Sequence, residues 1–239
     1  MQTSAEWNLD ASRAALRLGS FSASVNLSAP QRGVHQVKLA AQPLECEALG
    51  VKLESAGQGA PPALIDAYPR GGDLVAAYAQ GPSSLVSTQI YWRAALLEFD
   101  GESCPTIDLQ VSVQTSLLES RPALSTRSCL PACEVVSAAL GPPVQARSRE
   151  PGAHCLVFRP SAWNESYVEM VHPSDAVASE VATKASTMEI AHRLFEHELE
   201  KGVILRARVR GMFVPRRGDT ELALAAWRQF VAQAPPLTT

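Results

Sequence analysis

Apolar and polar side chains alternate with a period of two along most of this chain. In residues 21–28 the odd positions Phe21, Ala23, Val25 and Leu27 are apolar, while Ser22, Ser24, Asn26 and Ser28 are small and polar. Successive side chains of a strand point to opposite faces, so this segment reads as a strand with one face in a core. The pattern is cleanest over 106–118, where Ile107, Leu109, Val111, Val113 and Leu117 alternate with Asp108, Gln110, Ser112, Gln114 and Ser116. Further strands are predicted over 13–18, 33–39, 63–68, 73–79, 87–98, 153–159, 166–171, 176–183 and 203–214, divided by Pro, Gly and Ser. Helical spacing is clear only at about 219–234. There Asp219 is placed to cap the start, Leu222, Ala226, Phe230 and Ala234 form a stripe, and Pro235 and Pro236 end it. The fold class this predicts is all-β: one large antiparallel β-sandwich domain over residues 1–239 with a single C-terminal α-helix.

Two loop-like stretches interrupt the alternation, GQGAPP at 57–62 and the Pro- and Gly-rich 141–153, and neither is a long linker. Gly71 and Gly72 read as a hairpin turn. In residues 188–201 the positions Ile190, Leu194, Phe195 and Leu199 fit a helix nearly as well as a hairpin. Our reading is a hairpin around Glu200, Lys201 and a left-handed Gly202, which sets Leu199 against Val203, His197 against Leu205 and Glu196 against Arg206.

Composition narrows the function classes. The chain has 239 residues, 46% of them hydrophobic, 19% charged, with a net charge of −3. There is no global positive field for phosphate backbones, so nucleic acid is not an expected partner. No apolar run approaches the roughly 20 residues that span a bilayer, and the N-terminal sequence lacks the basic-then-apolar pattern of a secretory signal. The expectation is a cytoplasmic protein without a membrane partner. Five scattered cysteines, Cys46, Cys104, Cys129, Cys133 and Cys155, suit reduced thiols. Cys129 and Cys133 are too loosely spaced for a zinc knuckle, so neither a metal nor another cofactor is expected.

Three groups of residues carry candidate chemistry. On a strand over 203–214, Arg206, Arg208 and Arg210 share one face at intervals of roughly 6.6–6.8 Å. Their planar, permanently charged guanidinium groups suit a carboxylate or phosphate. The alternative is cross-strand pairing with Glu196, Glu198 or Glu200. Tyr91 and Arg93 share a face of their strand and, with Gln114, supply groups that suit sugars and flat ligands. Glu169, His172 and Asp175 lie near a strand end at Pro173. They are a candidate general acid–base set, but Glu169 and His172 share a face only if the chain bends between them. No G-x-S-x-G, H-E-x-x-H, Walker or Rossmann glycine pattern is present.

The stretches RGGDLVAAYAQ with STQIYWRA, VSVQTSLLES, and YVEMVHPSD with LEKGVILRARVRGMFVPR together resemble an uncharacterised bacterial protein family, over roughly residues 63–217. The resemblance implies a shared fold and no particular activity. More loosely, the β-rich layout is similar to the sandwiches of aldose mutarotases and polysaccharide lyases, which bind sugars on a concave sheet. No specific motif of theirs is matched, so no catalytic residue carries over. The leading expectation is a β-sandwich that binds a carbohydrate or anionic small molecule through Arg206, Arg208, Arg210, Tyr91, Arg93 and Gln114. The alternatives are a sugar epimerase- or lyase-like enzyme using His172 with Glu169 or Asp175, and an interaction module without a small-molecule site.

Overall fold

A computed structural model describes residues 4–53, 62–81, 84–138, 154–195 and 197–233. The predicted loop at 141–153 and most of that at 57–62 lie outside the described residues, as do Glu196 and Ala234. The first sheet runs β1 (Glu6–Asp10), β2 (Arg13–Leu18), β3 (Phe21–Asn26), β4 (Val34–Leu39), β6 (Glu47–Leu53), β12 (Leu124–Pro131), β17 (Thr187–Leu194) and β16 (Ala176–Lys184), with β5 (Gln42–Leu44) also paired to β4. The second runs β13 (Cys133–Ser137), β14 (Cys155–Pro160), β15 (Glu165–Val171), β19 (Ile204–Pro215), β10 (Glu102–Gln114), β9 (Ser87–Phe99), β8 (Asp73–Tyr78) and β7 (Leu64–Arg70). Every pairing is antiparallel.

The predicted sandwich is the observed one, because the apolar half of each alternation turns inward. Leu16, Phe21, Val25, Ile90, Trp92, Leu109, Val111, Val209 and Phe213 meet in one core between the sheets. Aromatic rings interlock across it: Phe21 and Tyr167 sit 5.4 and 5.3 Å from Phe213. Helix α1 (Asp219–Ala232) lies on the outer face of the second sheet. Its Leu222, Ala223, Ala226 and Phe230 seal a smaller apolar cluster with Cys155, Val157, Val168, Met170 and Met212.

Three local expectations are corrected. The hairpin around Gly202 does not form with the expected register. Gly202 is left-handed (φ 86°), but β18 (Leu199–Glu200) pairs with β11 (Glu119–Ser120), and β19 pairs instead with β10 and β15. The long β10 offers a full ladder of partners, which outweighs a short local one. Asp219 does not cap its helix. The N-cap is Gly218, in the left-handed region, and makes no side-chain cap bond. Asp219 instead accepts from Arg159 Nε and Nη2 at 2.9 and 2.8 Å and from Ser166 Oγ at 2.5 Å, tying the helix start to β14 and β15. The strand predicted to reach 118 ends at Gln114, and Leu117 is exposed.

The first sheet is two ladders joined at one rung. Between β4 and β6 only Val34 and Ala48 pair. The backbones there press together: a Cβ on Gly33, itself left-handed (φ 58°), would stand 2.2 Å from the Ala48 carbonyl oxygen. Only glycine fits.

Candidate functional site

A concavity lies on the outer face of the first sheet beside this junction. Three rungs cross β1 to β4. Glu6, Arg17, Ser22 and Lys38 form the first, Asn8, Ala15, Ser24 and His35 the second, and Asp10, Arg13 and Asn26 the third. Ala15, Ser22 and Ser24 in the middle are short and the flanking residues long, so the face is hollow along its centre. The result is a groove of about 610 Å³, with an adjoining hollow of about 300 Å³ that shares Ala15, Ser24, Arg32, His35 and Gln36.

A bulge shapes the floor. Between Ser22 and Ser24 of β3, strand β4 carries one extra residue, and Gln36 takes a left-handed backbone (φ 53°). A bulge of this kind re-aims side chains. Both Gln36 and His35 line the groove and its neighbour. His35 is 8% exposed, yet neither ring nitrogen has a hydrogen-bond partner. Burial, then the charges of Arg32 and Arg13, hold its pKa below the ordinary 6.5 against the pull of Glu47. A neutral imidazole keeps one donor and one acceptor, and a buried polar group without partners is costly. Arg32 is engaged by Glu47 at 2.7 Å. Arg17 and Lys38 are exposed and form no ion pair among the described residues.

The residues expected to bind a ligand share a face, but of the other sheet. The register places Tyr91 beside Gln110 and Arg208, and Arg93 beside Asp108 and Arg210, while Arg206 faces Ser112 and Gln114 closes the series next to Ile204. Most of these groups are already engaged. Arg210, 1% exposed, grips Asp108 through two bonds of 2.5 and 2.8 Å and stacks on Phe230 with its guanidinium carbon 4.8 Å from the ring centre. Arg208 Nε donates to Asp175 at 3.1 Å, and its Nη1 donates to the Gln233 carbonyl, beyond the last turn of α1, at 3.1 Å. Arg93 is held by Asp73 at 2.7 and 3.0 Å, and the Tyr91 hydroxyl donates to Gln89 at 2.6 Å. Arg206 is half-buried, its charge acting on the Tyr91 hydroxyl. Asp108 and Asp175 thus counter this row. Glu198 pairs with Arg121 instead. Cations near a helix C-terminus satisfy its last carbonyls and its dipole, so Arg208 and Arg210 clamp α1 to the sheet.

The candidate acid–base set is split. His172 Nδ1 lies 3.7 Å from Asp175, with Ser174 bridging the two, and its ring meets Phe230 edge-on beneath the helix end. Glu169 points the other way, into the core, 1% exposed. It accepts from Ser128 Oγ at 2.5 Å and Tyr167 Oη at 2.7 Å, and His192 Nε2 lies 3.1 Å away, off the line of a hydrogen bond. Ser179 meets His192 Nδ1 at 2.7 Å, and Ser128 accepts the Leu49 N–H at 2.8 Å. Neither hollow on the first sheet is lined by any of these groups. The cluster joins β15 of one sheet to β12 and β17 of the other, and its chemistry is that of an inter-sheet clamp.

Four of the cysteines are poor nucleophiles. All five are free, and burial pushes the Cys46 and Cys155 thiols up to about 12 and those of Cys104 and Cys133 to about 11. Among the described residues no group of three or more His, Cys, Asp or Glu side chains is placed to hold a metal, and no helix is long and apolar enough to cross a membrane.

No family model matches the chain, and no curated protein matches it. Among solved structures, a TPR-domain containing protein from Parabacteroides distasonis superposes with a TM-score of 0.57 at 8% identity. The match covers 95% of this chain and 49% of that one, so the present chain spans about half the length of that protein. TPR repeats are pairs of helices, whereas the described residues of this chain are mostly strands with one α-helix, and the likeness is one of fold alone.

Proposed function

We propose that this chain is a ligand-binding β-sandwich that takes a polyhydroxylated or anionic small molecule in the groove on the outer face of its first sheet. The observation that carries the reading is His35. It is a buried imidazole with two unpartnered nitrogens on the floor of a concave surface. Ligand pockets combine concavity with a few convergent polar groups. Here Ser22, Ser24 and Gln36 add hydroxyl and amide groups, and Arg17 and Lys38 add two cations without an ion pair among the described residues. The arginine row of the second sheet is the weaker candidate, because its charges are spent on Asp73, Asp108, Asp175 and the helix.

The test is isothermal titration of neutral sugars, sugar acids and sugar phosphates into the wild type and into His35→Leu. At least one class should bind the wild type, and His35→Leu should weaken it by about tenfold, the loss expected for one ligand hydrogen bond. If none of them binds, or if His35→Leu leaves the affinity unchanged, the groove is not the site.

A further inference from the structure

The groove is not electrically uniform, and its asymmetry fixes an orientation for what it holds. At the junction Arg32 is occupied by Glu47, and the third rung carries one cation, Arg13, across from Asp10. The first rung carries two. Arg17 and Lys38 flank Ser22 from the strands on either side, and both are exposed without an ion pair among the described residues. Glu6 faces Arg17 in the ladder as Asp10 faces Arg13, and neither is an ion pair among the described residues. Adjacent strands are about 4.8 Å apart, so the two cations rise from backbones roughly 10 Å apart with a hydroxyl between them. That spacing suits one tetrahedral or planar anion met from both sides, with Arg17 contributing a planar fork and Lys38 a point charge. One rung further on, Ser24 and the buried, unpartnered His35 offer only neutral hydrogen-bonding groups.

We propose that the groove binds an acidic monosaccharide-sized ligand, gripping its carboxylate or phosphate over Ser22 between Arg17 and Lys38 and seating its hydroxylated body along Ser24 against His35 and Gln36. This rests on the groove being the binding site. It goes further by naming the ligand's charge and the direction in which it lies.

The experiment compares glucose, glucuronate and glucose 6-phosphate by titration and by amide chemical-shift mapping, in the wild type, Arg17→Ala, Lys38→Ala and His35→Leu. The expected result is that one or both acidic ligands bind the wild type at least about tenfold more tightly than glucose. Arg17→Ala and Lys38→Ala each remove most of that advantage and leave glucose binding unchanged, whereas His35→Leu weakens all three alike. Raising the ionic strength erodes the acidic advantage and not the shared part. Preference for glucuronate alone or for the phosphate alone identifies which anion the cradle fits. If all three sugars shift the amides of 22–36 but bind equally, or if the acidic advantage survives both substitutions, the anion cradle is refuted while the groove stands. If none of the three moves those amides, the groove reading falls and takes the cradle with it. Both substitutions are at exposed positions, and unchanged near-UV circular dichroism separates lost binding from lost folding.

Discussion

Gly211 of β19 has a β-strand backbone, and its φ lies outside the left-handed region, so the chain there tolerates alanine. Space does not. A Cβ on this residue would stand 2.6 Å from Tyr167 Oη, 3.1 Å from Leu49 Cδ1 and 3.2 Å from Tyr167 Cε2. The hydroxyl cannot retreat, because it donates to Glu169 at 2.7 Å and its ring is packed against Phe213 and Phe158. Overpacking of this kind costs about 1–3 kcal/mol, and the narrower unfolded ensemble of alanine returns about 0.4–1 kcal/mol. Gly211→Ala should therefore lose about 1–2 kcal/mol. Tyr167→Phe removes the offending oxygen along with a bond to a buried carboxyl group, a loss of about 1.5–3 kcal/mol by itself. In the double variant the closest clash is gone, so the two losses should overlap by about 1 kcal/mol. Urea denaturation of the four proteins, followed by tryptophan fluorescence at constant m-value, measures the cycle. Losses that add to within about 0.3 kcal/mol would show that Gly211 does not make room for the Tyr167–Glu169 bond.

Four further variants have defined outcomes. Hydrogen bonds from Arg159 and Ser166 hold Asp219 below its ordinary pKa even though its burial acts the other way, so its contribution is complete above about pH 4 and is lost as the pH falls through the depressed value. Asp219→Ala should abolish that acid-limb slope, cost about 2–4 kcal/mol, and hasten alkylation of Cys155, which α1 covers, as read by peptide mass mapping. Arg210→Ala should cost about 1.5–3 kcal/mol in urea titrations by removing its two bonds to Asp108, yet leave ligand affinity unchanged. Arg17→Ala should do the reverse, moving stability by less than about 0.5 kcal/mol. His35 is held below 6.5 by burial and by Arg32. As the pH drops under 6.5 the unfolded chain takes up a proton that the folded one refuses, and stability declines. His35→Leu should flatten that limb and leave neutral-pH stability equal or higher, since an unpartnered polar group is exchanged for an apolar one.

How far the fold was legible depended on what each strand presents to the core. Phe21–Asn26 alternates cleanly because its buried positions are hydrocarbon, whereas Asp73–Tyr78 and Ile204–Pro215 are buried along most of their length. Leu124–Pro131 was missed, although it alternates just as strictly in burial. Two of its inward positions are Thr126 and Ser128, whose hydroxyls face the Glu169 cluster side of the core rather than solvent. Hydroxyls where a core side chain belongs were the available signal for that cluster. The arginine row was correctly placed on one face, but pattern alone does not reveal that Asp108 and Asp175 neutralise it or that α1 rests on it. Those partners are 102 and 33 residues away in sequence. The groove was hidden for the opposite reason. Ala15, Ser22 and Ser24 are unremarkable residues, and they form a hollow only because β2 and β3 bring them side by side with a bulge in the next strand.

The single rung between Val34 and Ala48 gives this hollow a mechanical setting. Ordinary sheets resist shear through many parallel bonds, but here two ladders are spliced at one point, with Arg32, His35 and Lys38 on one side and Glu47 on the other. A small molecule that touches both banks would act as a suture across the splice. Its arrival would be felt as a stiffening of the whole N-terminal half of the sheet, well beyond the atoms it contacts.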